Sequence, residues 1–299
     1  MSALVVPKRS FGGRVRDWFA NPWAETRFLW AVGILYVLWT LMPVGEAVLF
    51  SFNRGRSITR WEGFSLRWYT WDANSVLHND SLQRAVLNTL LLAALTAVIA
   101  VPPGVAFALA LHHWRNRTAS TSNFLMMFSF VTPELILAVS LFLLMINAFD
   151  FIGLGTSAQL IGLVVLSLAY PVVIVRARLL SLGRSFEEAS MDLGASPVRT
   201  LWRVTLPLLG PSIFASAAII FAFALDDFVI VNQLARDASN ATVSITIYGA
   251  ARTAPTPAMN AIGTLMLTTS TIVIVAAVAF YRRMAERQEG TAETQDLLA

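Results

Sequence analysis

The chain has 299 residues, of which 56% are hydrophobic and only 13% charged, a balance outside that of soluble globular domains and expected of a membrane protein. Cysteine is absent, which excludes disulfides, thiol catalysis and cysteine-ligated zinc or iron-sulfur sites. The formal charge of +4 does not indicate nucleic acid, because the basic residues stand in short groups beside apolar segments, as lipid-headgroup anchors do.

Residues 1–27 read as a cytoplasmic tail carrying Lys8, Arg9, Arg14, Arg16 and Arg27, without the short apolar core and small residues of a cleavable leader. A helix crossing roughly 30 Å of hydrocarbon needs about 20 mainly apolar residues, since lipid offers no partner to an unpaired backbone group. Six segments qualify: residues 28–52, 85–111, 124–149, 158–175, 212–231 and 258–281, the fourth being the weakest. The expected fold is therefore an all-α, polytopic membrane protein of six transmembrane helices over residues 28–281. With the N-terminus inside, the inner segments hold Arg115, Arg117, Arg176, Arg178, Arg184, Arg199, Arg203, Arg282, Arg283 and Arg287 besides the tail. The outer loops hold fewer: Arg54, Arg56, Arg60, Arg67, Arg236 and Arg252. Both termini are thus expected in the cytoplasm.

The first outer loop, residues 53–80, mixes both charges with Trp61, Trp68, Tyr69 and Trp71, rings that favour the headgroup level. His112 and His113 are adjacent, so on a helix their side chains diverge and do not form a metal pair. Glu134 follows Pro133 near the middle of the third span. A charge within a span is costly and faces a pathway or a partner. Glu134 either meets a passing cation or pairs with a neighbouring helix.

The longest inner connection, residues 176–207, reads as two short helices with a tight corner. Ser185-Phe186-Glu187-Glu188 has the form of a capping box, and Glu187 and Glu188 suit the positive end of the helix dipole. Gly194 is placed to stop that helix in a left-handed conformation. Ser196-Pro197 suits the cap and first residue of a second helix, which Leu206-Pro207 is expected to end. In the fifth span, Asp226 and Asp227 lie about 25 Å from the inner start at 1.5 Å per residue, so they form either an outer gate for a cation or an interfacial pair. Phe228 follows them, and with Trp39, Trp68 and Tyr170 it offers a ring for cation-π contact with an amine. No Lys or Arg interrupts the middle of a span, which favours a cationic solute over an anion. Residues 282–299 read as a polar, solvated cytoplasmic tail.

Glu188-Ala189-Ser190, three residues, Gly194, nine residues and Val204-Thr205-Leu206-Pro207 resemble a signature of bacterial ATP-binding-cassette importer permeases. That signature is Glu-Ala-Ala, three residues, Gly, nine residues, Ile-x-Leu-Pro. Ser190 replaces its second Ala and Val204 its Ile. Phe50-Ser51-Phe52-Asn53, Gly63-Phe64-Ser65-Leu66-Arg67-Trp68-Tyr69, Leu87-Asn88-Thr89-Leu90, Pro133-Glu134 and Leu225-Asp226-Asp227-Phe228 are most similar to the second permease of spermidine/putrescine importers. Subfamilies for ferric iron, thiamine, sulfate or opine-like solutes share parts of these segments.

The resemblance implies a type I importer permease fold in a bacterial inner membrane. The helix in 176–207 would be a cytoplasmic coupling helix docking on an ATPase, with Ser185, Glu187, Glu188, Ala189, Gly194, Leu206 and Pro207 as its coupling residues. Glu134, Asp226, Asp227 and Phe228 would line the substrate pathway. It further implies a second homologous permease, two copies of the ATPase subunit and an extracytoplasmic binding protein, besides membrane lipid. This chain has no Gly-rich loop ending in Gly-Lys-Ser/Thr. It is expected to be a transport subunit and not an enzyme, holding no cofactor, with ATP and Mg bound by the ATPase partner. A channel or ion-driven transporter acting alone is the alternative of a different class, and would need no docking helix.

Overall fold

The computed structural model describes residues 26–113, 121, 132–253 and 255–296. Lys8, Arg9, Arg14, Arg16, Arg115, Arg117 and residues 124–131 of the third expected span lie outside them. Among the described residues all regular structure is helical apart from one antiparallel bridge, Asn53 to Phe64.

The chain divides into two units, residues 1–50 and 51–299. The first contains α1 (Thr26–Ser51), whose Thr40 hydroxyl donates back to the Tyr36 carbonyl at 3.0 Å, the bond that lets a hydroxyl sit in an apolar helix. The second holds α2 (Arg67–Thr70), α3 (Asp80–His113), α4 (Glu134–Asn147), α5 (Thr156–Ser167), α6 (Ala169–Leu182), α7 (Ser185–Asp192), α8 (Pro197–Thr200), α9 (Leu206–Asp226), α10 (Val229–Leu234), α11 (Val243–Thr253) and α12 (Pro257–Asp296).

Among the described residues, five stretches are long and apolar enough to cross a membrane: Leu29–Ser51, Asp80–His113, Thr156–Leu182, Pro197–Asp226 and Pro257–Arg283. α4 is a shorter apolar helix of 14 residues, covering the described part of the third expected span. The fourth span, the weakest by composition, runs on through Arg176 and Arg178 to Leu182. The stem of an Arg is apolar and can lie along an apolar helix, so charge need not end it. Likewise α12 continues to Asp296, through residues assigned above to solvated chain. Ala, Glu, Arg and Gln extend an existing helix at little cost, because its nucleation is already complete.

α3 is the central element, packed on α5, α6 and α9. Ala93, Ala97, Ala100, Gly104 and Ala108 recur along it at helical spacing, and the four alanines are buried. Small residues let backbones approach where water provides no drive for helix association. At Gly104 the approach is closest: a Cβ there would stand 2.3 Å from Cγ of Pro171 on α6. One apolar core joins α3 to α6 and α9, around Val101, Val175, Leu209 and Ile220. A second joins α3, α4, α5 and α10, around Leu92, Leu141, Leu163 and Ile230.

The loop of residues 53–80 is a folded cap rather than a loose set of anchors. Asn53 Nδ2 donates to the carbonyls of Ser57 and Arg60, both at 2.8 Å, and Oδ1 accepts from Glu62 N at 2.9 Å. Trp68 is fully buried, its Nε1 donating to the Asn53 carbonyl at 2.7 Å, with the Arg67 guanidinium 4.7 Å from its ring centre. Arg67 also pairs with Asp72. Trp68 therefore serves neither as a headgroup anchor nor as a ring for a passing amine, whereas Trp61 and Trp71 are exposed.

Candidate functional site

The loop between α6 and α9 is built from short-range rules, with two departures from expectation. Gly183, at φ 68°, ends α6 and brings the chain into α7 one residue early, so Ser185 is already helical. Glu188 N donates to the Arg184 carbonyl at 2.9 Å, and no side chain caps α7. The expected capping box between Ser185 and Glu188 is thus absent, its amide proton having a backbone partner. α7 ends at Gly194, φ 83°, where Gly194 N donates to Met191 O at 2.8 Å and Ala195 N to Ser190 O at 3.1 Å. Ser196 then caps α8 by accepting from Arg199 N, with Pro197 as first helical residue.

The second helix does not stop at Leu206-Pro207. It passes through one π turn, Leu201–Thr205, straight into α9. Pro207 lacks an N–H and its ring crowds the carbonyl four residues back. A wider turn relieves both, so the proline is absorbed without a break.

α7 presents an apolar surface on a projecting corner. Leu193 is 90% exposed, and Phe186, Met191, Val198 and Trp202 are exposed beside it. Glu188 and Ala189 are exposed on the same helix. Behind α7 lies a cavity of about 400 Å³ lined by Leu109, His113, Glu187, Met191, Leu201 and Thr205. Glu187 crosses it: Oε2 lies 3.1 Å from His113 Nε2, and Oε1 accepts from Thr205 Oγ1 at 3.0 Å.

The second group of candidates sits where helices break. α9 ends at Asp226 and α10 starts at Val229, with Asp227 extended between them. Asp227 is buried and Asp226 exposed, so the two neighbours face different surroundings. Asp227 Oδ1 accepts from Ile230 N at 3.1 Å and Val231 N at 3.2 Å, and its carbonyl accepts from Ser244 Oγ at 2.7 Å. Its Oδ2 is buried with no donor among the described residues, and the carboxyl lies near that of Glu134 at the start of α4. Glu134 and Asp227, expected at different depths, therefore share one level. The Tyr170 ring lies 5.5 Å from that of Phe223. Phe228 stacks at 4.5 Å on Tyr248, whose other neighbour is the Arg252 guanidinium at 4.4 Å.

Residues 100–286, which contain the whole of this corner and the Asp227 break, match the family described as binding-protein-dependent transport system inner membrane component. The chain belongs to this family. The permease is also 32% identical to the putrescine transport system permease protein PotI of Escherichia coli strain K12, over 87% of this chain and 92% of that one. Its identity to the spermidine/putrescine transport system permease protein PotC of Haemophilus influenzae is 29%, over 86% and 98%. Among solved structures it superposes with TM-score 0.67 on a bacterial ABC transporter involved in import of the acidic polysaccharide alginate, at 15% identity over 91% of this chain and 99% of that one. For the inward-facing methionine transporter MetNI the values are 0.59, 19%, 68% and 95%. The permease is a multi-pass inner-membrane subunit of an ATP-binding-cassette importer.

Sequence reasoning did not find His113 or Thr205 as partners of Glu187, nor the 3.0 Å bond between Ser190 Oγ and Thr200 Oγ1. Thr205 occupies the variable position of the signature. No local pattern links it to Glu187.

Proposed function

We propose that this permease passes a cationic polyamine, of the putrescine or spermidine kind, across the inner membrane. The observation that carries the reading is the Glu134 and Asp227 carboxyl pair at the break between α9 and α10. Two carboxylates this close repel in apolar surroundings, and a cation between them removes that repulsion. The names of PotI and PotC as putrescine and spermidine/putrescine permeases support the same cargo class. The fold by itself does not choose a cargo, since its neighbours handle alginate and methionine.

In this reading α7 is the coupling helix. Leu193 and Phe186 form the apolar contact with an ATPase subunit, Gly194 sets the corner, and Ser185, Glu187, Glu188, Ala189, Leu206 and Pro207 shape or support it. The working assembly holds this permease, a second homologous permease, two copies of the ATPase subunit that bind ATP and Mg, and an extracytoplasmic binding protein. Both termini lie in the cytoplasm. ATP-driven closure of the ATPases displaces α7 and opens the pathway outward; preferential binding of ATP to one state gives direction. Asp226 and Phe228 line the pathway above the carboxyl pair.

The test is ATPase stimulation of the reconstituted complex by binding proteins loaded with putrescine, spermidine, ferric iron or thiamine. Stimulation by the amine-loaded proteins alone is expected; stimulation by ferric iron or thiamine alone would overturn the cargo assignment.

A further inference from the structure

Glu187 ties three elements together at the base of α7. One carboxylate oxygen faces His113 at the end of α3, the other accepts from Thr205 in the π turn. The second ring nitrogen of His113, Nδ1, lies 2.9 Å from the Leu109 carbonyl oxygen. A carbonyl and a carboxylate only accept, so both nitrogens of this ring face acceptors. Only the doubly protonated imidazolium donates to both. A neutral ring keeps one bond and turns a lone pair toward the other oxygen. Thr205 is buried, and the Ser190 to Thr200 bond makes a second tie from α7 to the end of α8. Among the described residues, His112 on α3, Arg176 on α6, Arg184 before α7 and Glu188 on α7 also face this corner.

We propose that His113 and Glu187 are positioning residues for coupling: the protonated His113, held on Glu187 and braced by Thr205, fixes α7 to α3 and to the π turn leading into α9. A push on α7 is then delivered to the two helices of the central core instead of being absorbed by bending at Gly183 and Gly194. The proposal rests on the reading of α7 as the coupling helix, and adds the joint through which it acts.

The measurement is the number of putrescine molecules imported per ATP hydrolysed, in proteoliposomes holding the full complex, from about pH 6 to about pH 8. With the native chain the ratio falls by roughly two- to fivefold as pH rises, the range a partly exposed charge pair supports. Glu187→Gln removes that slope, because the Gln amide donates to the neutral His113 Nε2 while Nδ1–H stays on Leu109. His113→Lys, with one charged donor throughout, also gives a flat profile. His113→Ala lowers the ratio at every pH.

A Glu187→Gln profile as steep as the native one, or an undiminished ratio in His113→Ala, overturns the proposal. Gly194→Val, measured alongside, separates it from the reading beneath it. If Gly194→Val uncouples while the His113 and Glu187 variants behave as native, the joint is wrong and the coupling helix stands. If Gly194→Val also transports normally, the coupling helix falls.

Discussion

Gly194 has φ 83°, a conformation that a β-branched residue adopts only with strain of at least about 1 kcal/mol. Open space surrounds the position, so Gly194→Val changes the corner and not the packing. The expected outcome is loss of putrescine uptake in vesicles, with insertion and copurification of the partner subunits retained. In the proposed reading Asp227 has two separable roles. Asp227→Asn keeps an oxygen for Ile230 N and Val231 N but removes the charge, so uptake should fall by about tenfold, the size of one charge-assisted contact, at unchanged melting temperature. Asp227→Ala should in addition lower stability by about 1 kcal/mol, as loss of a helix cap does. Native uptake by Asp227→Asn would reduce this residue to a cap. Glu134→Gln should weaken amine uptake more than Glu46→Gln, which alters a different unit of the chain; the reverse order would remove Glu134 from the pathway. At this scale sequence is informative where a residue's conformation is set by its neighbours, as for Gly194 and for Ser196-Pro197. It is silent where the partner is remote: nothing local joins His113 to Glu187 or Glu134 to Asp227. Ser185 shows the limit even for neighbours, since the glycine two residues earlier moved the helix start and left the capping box without a function.

Among elements, the length and apolar character of a helix were legible, and its ends were not. Hydropathy located the second, fifth and sixth spans, but Arg176 and Arg178 did not end the fourth, and Leu206-Pro207 did not end α8. A charged stem can lie along a helix, and a π turn can absorb a proline. Packing adds what hydropathy omits: α3 approaches α6 through Gly104, whose missing side chain is filled by the ring of Pro171. That ring is rigid, and strain from overpacking is typically about 1–3 kcal/mol. Gly104→Val should therefore lower the melting temperature of the purified complex by several degrees, while Gly194→Val leaves it near the native value. Equal effects would show that α3 and α6 separate without cost.

For the molecule as a whole, the α7 corner is an extension of the core. One side of it is continuous with α9, another is tied to α3 through Glu187, and its apolar tip points away from both. The carboxyl pair lies at the other end of the same two packed helices, where α9 breaks before α10. A displacement at the corner thus has a short physical route to the acids through elements packed along their length. The fold class was legible from composition and six apolar runs, and the signature in residues 188–207 supplied the family. The nearness of Glu134 to Asp227 was not legible, because counting residues along one helix says nothing of what a second helix brings beside it.

The most direct test uses the absence of cysteine from the chain. Leu193→Cys gives a single thiol at the exposed tip of α7, and Trp71→Cys gives one on the loop of residues 53–80; each is labelled with a thiol-directed photocrosslinker in the assembled complex. The account predicts a covalent adduct between permease and ATPase subunit from position 193, diminished when ATP is removed, and none from position 71. No adduct from position 193 in a complex that still transports putrescine would contradict it.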